Sequence, residues 1–223
     1  MAADPTIVED HLERIAISTS GLGARTRRGW IYRDVTCAVR EGEVGAICGP
    51  GGSGRTSLLL TMAARMAFTT GSLTVRGVEL PGDASAVRAR VAVARAGGAV
   101  ELEPELRVRD HLVERGTHGH DRDARFDKAC GRLGLAVSRE SLVGGLDACQ
   151  ETLLCLALAL LDEPEIILLD DLDRGLPAAD QTVLWQRVRT LTEEAVTVLA
   201  VTTDPVPARG WADVVVDLAG GAA

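Results

Sequence analysis

The stretch GPGGSGRTS, Gly49 to Ser57, follows the apolar run VGAIC, Val44 to Cys48, and runs into RTSLLLTMAARMAF, Arg55 to Phe68. Its glycines allow successive backbone N–H groups to turn inward and cup an anion, which then rests on the positive end of the helix that follows. Gly49, Gly54 and Thr56 fit the phosphate-loop pattern G-x-x-x-x-G-K-[ST]; Arg55 departs from it. A bare glycine turn is the bland reading. The order of buried strand, glycine loop and helix favours the phosphate loop. Gly49, Pro50, Gly51, Gly52, Ser53, Gly54, Arg55, Thr56 and Ser57 are therefore the expected nucleotide contacts, with the Thr56 hydroxyl placed to reach a magnesium ion.

Arg55 keeps a full positive charge and a fork of donors, but it is bulkier and planar where lysine is a slim point charge. Binding of phosphate survives such a change better than accurate placement of a terminal phosphate. Lys128 is the only lysine in the chain, so an arginine at 55 also fits a chain-wide bias.

Outward from the loop, apolar runs alternate with helical periodicity. RIAIST (Arg14 to Thr19) and WIYRDVTCAV (Trp30 to Val39) are expected as antiparallel strands, the second closed by the turn REGE. Leu58, Leu59, Met62 and Met66 share a face of the helix after the loop. GSLTVRGVEL (Gly71 to Leu80) and RVAVAR (Arg90 to Arg95) continue as strands, and helices are expected over Val108 to Arg115 and Asp123 to Leu135, separated by the loop GTHGHDRD. Asp147 to Leu161 reads as a helix leading to a buried strand at Ile166 to Leu169. AADQTVLWQRVRTL (Ala178 to Leu191), TVLAVTT (Thr197 to Thr203) and DVVVDLAGG (Asp213 to Gly221) follow as helix, strand and strand. The pattern predicts an α/β fold around a mixed, mainly parallel central sheet covered on both faces, with an N-terminal antiparallel β portion and a small helical lobe. A single domain is expected over residues 1–223, its core about 1–98 and 147–223 and its lobe about 99–146.

Composition narrows the partners. With 223 residues, 46% hydrophobic content and a net charge of −8, the chain suits one well-buried domain that does not live by holding nucleic acid. Cys37, Cys48, Cys130, Cys149 and Cys155 are odd in number and lack ligand spacing, which suits reduced, buried thiols and a cytoplasmic setting. The acidic start MAADPTIVEDHLER is no secretory signal. The longest apolar run, Leu153 to Leu161, is far short of the roughly 20 residues that cross a bilayer.

IILLDDLD places Asp170 and Asp171 at the carboxyl end of a buried strand, where open α/β sheets expose their ligand sites. Asp170 is expected near the metal, acting through water, and Asp171 beside an attacking water. Alone, the pair reads equally well as a solvated acidic turn; beside the glycine loop it does not.

Taken together these stretches resemble the nucleotide-binding domain of ATP-binding cassette (ABC) proteins over essentially the whole chain. LRVRDHLVER resembles the opening of that family's helical lobe, LALALLDEPEIILLDD its signature helix running into the Walker B strand, and TVLAVTTD its switch strand. The resemblance implies ATP and Mg²⁺ as ligands, a separate membrane-spanning subunit, a homodimer or a heterodimer with another cassette, and a cytoplasmic position at the inner face of the membrane. No nucleic acid is expected. The departures weaken catalysis. Leu146, Asp147, Ala148, Cys149 and Gln150 stand at the LSGGQ signature, with Leu142 to Gly145 as a second candidate. No glutamine lies between Val91 and Pro104, where the Q-loop residue belongs. Asp171 takes the catalytic glutamate's place, Thr203 the switch histidine's, and Pro177 that of the D-loop aspartate. Trp30 is the nearest substitute for the base-stacking aromatic. His118, His120, Asp121 and Asp123 read better as a polar loop than as a metal site, and Cys149 as a helix residue rather than a nucleophile. A non-hydrolytic nucleotide sensor and a soluble, non-transport ABC protein are the rival readings.

Overall fold

The computed structural model describes residues 15–115 and 120–218. β1 (Ile15–Thr26) and β2 (Gly29–Arg40) form an antiparallel hairpin, and β1 pairs on its other edge with β4 (Thr70–Val75), which turns into β5 (Val78–Leu80). This is a four-stranded sheet in the order β2-β1-β4-β5. The second sheet has five strands, β3 (Val44–Cys48), β6 (Val91–Arg95), β7 (Ile166–Leu169), β8 (Thr197–Thr202) and β9 (Val214–Asp217), in the order β6-β7-β8-β3-β9. Every pairing in it is parallel, so the antiparallel strands form a layer of their own rather than an edge of the central sheet.

β3, β6, β7 and β8 are buried at every residue, which is why they read as apolar runs, interrupted only at their ends by Arg95 of β6 and by Thr197 and Thr202 of β8. The pleat then deals alternate residues to opposite faces. Ile167 and Leu169 join one apolar cluster with the helices, whereas Ile166 and Leu168 join another with the antiparallel sheet and α1 (Arg55–Met62). The parallel sheet is thus the middle layer. Its helical side carries α3 (Val108–Glu114), α4 (His120–Leu133), α5 (Ala148–Ala159) and α6 (Ala178–Thr192); Val108, Phe126 and Leu133 from the first two share one cluster with Leu154, Trp185 and Val188 from the others.

The elements depart from the sequence expectations at their ends. α1 stops at Met62 instead of running on to Phe68, because Ala64 turns left-handed (φ 53°) and a Schellman turn closes the helix, Arg65 N donating to Leu60 O and Ala64 N to Thr61 O. Leu58, Leu59 and Met62 are buried on one face, while Met66 lies beyond the helix. α4 begins at His120, three residues early, so part of the expected loop GTHGHDRD is helical. Two short helices fall where none was expected: α2 (Ala84–Arg90), capped by Asp83, whose carboxylate accepts from Ala86 N at 3.0 Å, and α7 (Pro205–Ala208), capped by Asp204. The last strand ends at Asp217 within the described residues, and Ala219, Gly220 and Gly221 of its expected span lie outside them. No helix among the described residues is long and apolar enough to cross a membrane.

Candidate functional site

β3 delivers the chain into the glycine loop and α1 takes it away. Gly54 adopts φ 87°, and a Cβ there would lie 2.2 Å from the Ile31 carbonyl oxygen of β2. Only glycine satisfies both the left-handed backbone and that approach. The loop folds on itself through Ser53 N donating to Pro50 O at 3.2 Å, and Leu58 N donates to Gly54 O at 2.8 Å as α1 begins. No side chain caps α1, so its first N–H groups are free of any intramolecular anion. Ser53 Oγ and Arg55 Nη1 are buried without a hydrogen-bond partner, an arrangement that suits an anionic ligand with several oxygens.

The acids of β7 meet this loop across β8. Asp170 is 1% exposed; its Oδ2 accepts from Thr56 Oγ1 at 2.6 Å and from Gly97 N at 3.2 Å, and its Oδ1 accepts from Asp171 N at 3.1 Å. Asp171 bends left-handed (φ 44°) and places Oδ1 3.6 Å from Arg55 Nη2. Burial and the Asp170 charge raise the Asp171 carboxyl above its ordinary range, with Arg55 pulling the other way. The hydroxyl of Thr56 and the carboxylate of Asp170 are hard oxygen donors brought together, the donor set that Mg²⁺ takes.

Arg95, at the end of β6, is the residue that motif reading misses. It is 2% exposed and makes three hydrogen bonds: Nε to Asp170 O at 3.1 Å, Nη2 to Asp171 O at 2.5 Å and Nη1 to Thr152 Oγ1 of α5 at 3.1 Å. It therefore pins the main chain of both acids and ties them to α5. An arginine closing an otherwise apolar, buried strand was the available signal, since a charge is rarely buried without fixed acceptors.

Thr203 does not turn toward those acids. Its N–H donates to Asp173 Oδ2 at 2.7 Å, its hydroxyl hydrogen-bonds the same oxygen, and Thr202 Oγ1 donates there at 2.9 Å. Burial raises the Asp173 carboxyl, but these donors outweigh it and hold the group below its ordinary range. A depressed folded-state pKa adds stability above the unfolded value that is lost as pH falls through the folded one. Asp173→Asn is accordingly expected to lower the unfolding temperature at neutral pH, and its difference from wild type to shrink as the buffer is taken below pH 4, in thermal unfolding monitored by circular dichroism.

The signature-like residues lie at the start of α5. Asp147 is its N-cap, accepting from Gln150 N at 2.8 Å, while Gln150 Oε1 accepts from Asp147 N at 3.2 Å. This capping box occupies the helix terminus with the chain's own carboxylate. Leu146 leads into it, Ala148 and Cys149 form its first turn, and burial raises the Cys149 thiol, with Asp147 and Asp180 adding to it. Val143 to Gly145 form a separate 3-10 turn, in which Gly144 N donates to Pro104 O. Trp30 is 37% exposed, with the Arg25 guanidinium 5.6 Å from its ring centroid, and it neighbours the Ile31 carbonyl that fits against Gly54. His118 lies outside the described residues, and no group of His, Cys, Asp and Glu that could hold a metal by itself occurs among them. Cys48, Cys130 and Cys155 have their thiols pushed up to about 11 by burial, and all five cysteines are free.

A glycine loop between a buried parallel strand and a helix, facing an acid at the carboxyl end of another strand, defines a P-loop nucleotide-binding fold. The chain belongs to the ABC transporter family, whose sequence profile matches residues 32–173. It is 28% identical over 171 residues to the ABC transporter ATP-binding protein NatA of Bacillus subtilis, a match covering 75% of this chain and 69% of that one. It is 30% identical over 191 residues to the macrolide export ATP-binding/permease protein MacB of Neisseria meningitidis serogroup B, spanning 82% of this chain but only 30% of MacB. Its backbone superposes with a TM-score of 0.76 on CbiO1 of Clostridium perfringens, part of an ABC transporter complex, at 17% identity over 92% of this chain and 85% of that one. It also superposes with a TM-score of 0.74 on the dimeric bacterial ABC transporter cassette MJ0796, at 21% identity over 91% and 94%. At those identities the structures speak for the fold alone.

Proposed function

We propose that the chain is the ATP-binding subunit of an ABC transporter or transporter-like complex, binding Mg-ATP and coupling to a separate membrane protein, with weak or absent hydrolysis of its own. The observation that carries this reading is the meeting of the glycine loop with the β7 acids, Thr56 on Asp170 at 2.6 Å and Arg55 beside Asp171. Mg²⁺, when bound, would neutralise charge on the terminal phosphates. Thr56 and Asp170 would hold it, Asp170 through water; residues 49–57 would hold the phosphates, and Asp171 would orient a water. Calorimetry with Mg-ATP tests this, and no binding at millimolar nucleotide would remove it.

A cleft of roughly 530 Å³ opens between the core and the helices of residues 99–146, lined among others by Arg65, Arg88, Val100, Glu101 and Arg115. It adjoins the loop after β6, where related cassettes receive a helix of the membrane subunit. Asp162 on the same wall already pairs with Arg115 at 3.6 Å, but the arginines outnumber the carboxylates Glu101 and Asp162, which suits a partner segment carrying a carboxylate. Reversing charge at Arg88 and Arg115 together is expected to abolish co-purification with the membrane subunit while leaving ATP binding unchanged. Unaltered recruitment, with loss on changes elsewhere, would place the contact on another surface.

The non-hydrolytic sensor is kept as a second reading because Thr203 is held by Asp173 and Asp147 caps its own helix, so neither is free for a terminal phosphate in this arrangement. Dimerisation, with itself or another cassette, belongs to the same proposal.

A further inference from the structure

Arg55 and Asp171 are two departures from the family pattern that touch each other. Arginine reaches further than lysine and aspartate is one methylene shorter than glutamate, so the changes compensate along the line joining them. The result is an ion pair at 3.6 Å between Arg55 Nη2 and Asp171 Oδ1, with the arginine side chain 10% exposed and the aspartate 41%. The aspartate is held in place by its main chain. Its N–H donates to Asp170 Oδ1 at 3.1 Å, its carbonyl accepts from Arg95 Nη2 at 2.5 Å, and its left-handed φ of 44° turns the side chain out of the strand. Arg55 Nη1, meanwhile, is buried with no acceptor. The guanidinium is thus half satisfied by an internal anion and half open.

We propose that Asp171 is a specificity determinant that sets the preference for nucleoside triphosphate over diphosphate, by holding the guanidinium that a terminal phosphate must take. A diphosphate is seated by the loop's N–H groups and the unpaired Arg55 Nη1 with the Nη2–Asp171 pair intact, whereas a triphosphate also competes with Asp171 for Nη2 and leaves that carboxylate beside the incoming charge. This rests on the nucleotide-binding role proposed above.

The test is calorimetric titration of the full chain with Mg-ATP and with Mg-ADP, in wild type, Asp171→Asn, Arg55→Gln and the double variant, with thermal midpoints checking each fold; Arg55→Met, also uncharged, replaces Arg55→Gln if the latter does not fold. Asp171→Asn is expected to tighten ATP about fivefold, the scale of one partly exposed ion pair, and to leave ADP within twofold. In the Arg55→Gln background the same change is expected to lose its selectivity for ATP. Equal tightening of ATP and ADP, or tightening of ATP that persists without Arg55, would show plain repulsion between Asp171 and nucleotide and overturn the inference while leaving the proposed function standing. Absence of nucleotide binding from both wild type and Asp171→Asn would overturn the two together.

Discussion

Steady-state phosphate release from the purified chain with Mg-ATP is expected to be very slow or below detection, although nucleotide binds. Phosphoryl transfer depends on placing the water and neutralising charge, so displaced groups remove parts of the same transition-state stabilisation. On the proposed reading, four such groups are altered. Arg55 shares its guanidinium with Asp171, Asp171 is one methylene short of a glutamate, Thr203 lacks an imidazole and is held by Asp173, and Asp147 binds its own helix terminus. One lost polar contact commonly costs about 3 kcal/mol, roughly a hundredfold in rate, and losses within one constellation do not simply add. Robust turnover abolished by Asp171→Asn would show a working ATPase with tolerated variants. Turnover that stays undetectable after Arg55→Lys with Asp171→Glu would point to the partner or to the signature-like residues.

Gly54→Ala is the second large effect. The new Cβ would stand 2.2 Å from the Ile31 carbonyl oxygen at φ 87°, so both the backbone and the packing of β2 must yield. A cost of about 3 kcal/mol corresponds to a fall of roughly 6–12 °C in melting temperature for a domain of this size. ATP affinity is expected to fall at least about tenfold, because the displaced loop no longer presents its N–H groups to phosphate. Gly210→Ala, outside the loop, serves as the control, since a Cβ there meets nothing within 4 Å; it is expected to keep both properties. Equal behaviour of the two variants in scanning calorimetry and ATP titration would contradict the steric account.

Much of the architecture could be read from local pattern. The runs VGAIC, IILL and TVLAVT are apolar at nearly every position because a parallel strand covered on both faces has no solvent side to mark. The loop at Gly49 to Ser57 could be placed because glycine spacing is itself the chemistry of a backbone cradle. Helix ends were less legible: Ala64 closes α1 in a conformation usually given to glycine, and periodicity says nothing of that. Among the site residues, Asp170 was recognisable by its place at a strand end, as was Asp171.

What chain order could not reveal is which groups take one another as partners. Arg95 precedes the acids by some 75 residues, yet its guanidinium lands on both their carbonyls because β6 and β7 are neighbours in register. Thr203 stands where a switch residue belongs, but the turn after β8 brings it to Asp173 instead. Asp147 reads in the sequence as one residue of the signature-like run, and only the start of α5 shows its carboxylate accepting from Gln150 N. Sequence by itself determined the glycine cradle, the buried parallel strands and the acids at their ends, because each depends on residues close along the chain. The tertiary structure alone decided that Arg55 meets Asp171, that Arg95 fixes the acids' main chain and that Asp173 holds Thr203, because hydrogen bonds and ion pairs at 2.5–3.6 Å exist only once strands distant in sequence are aligned.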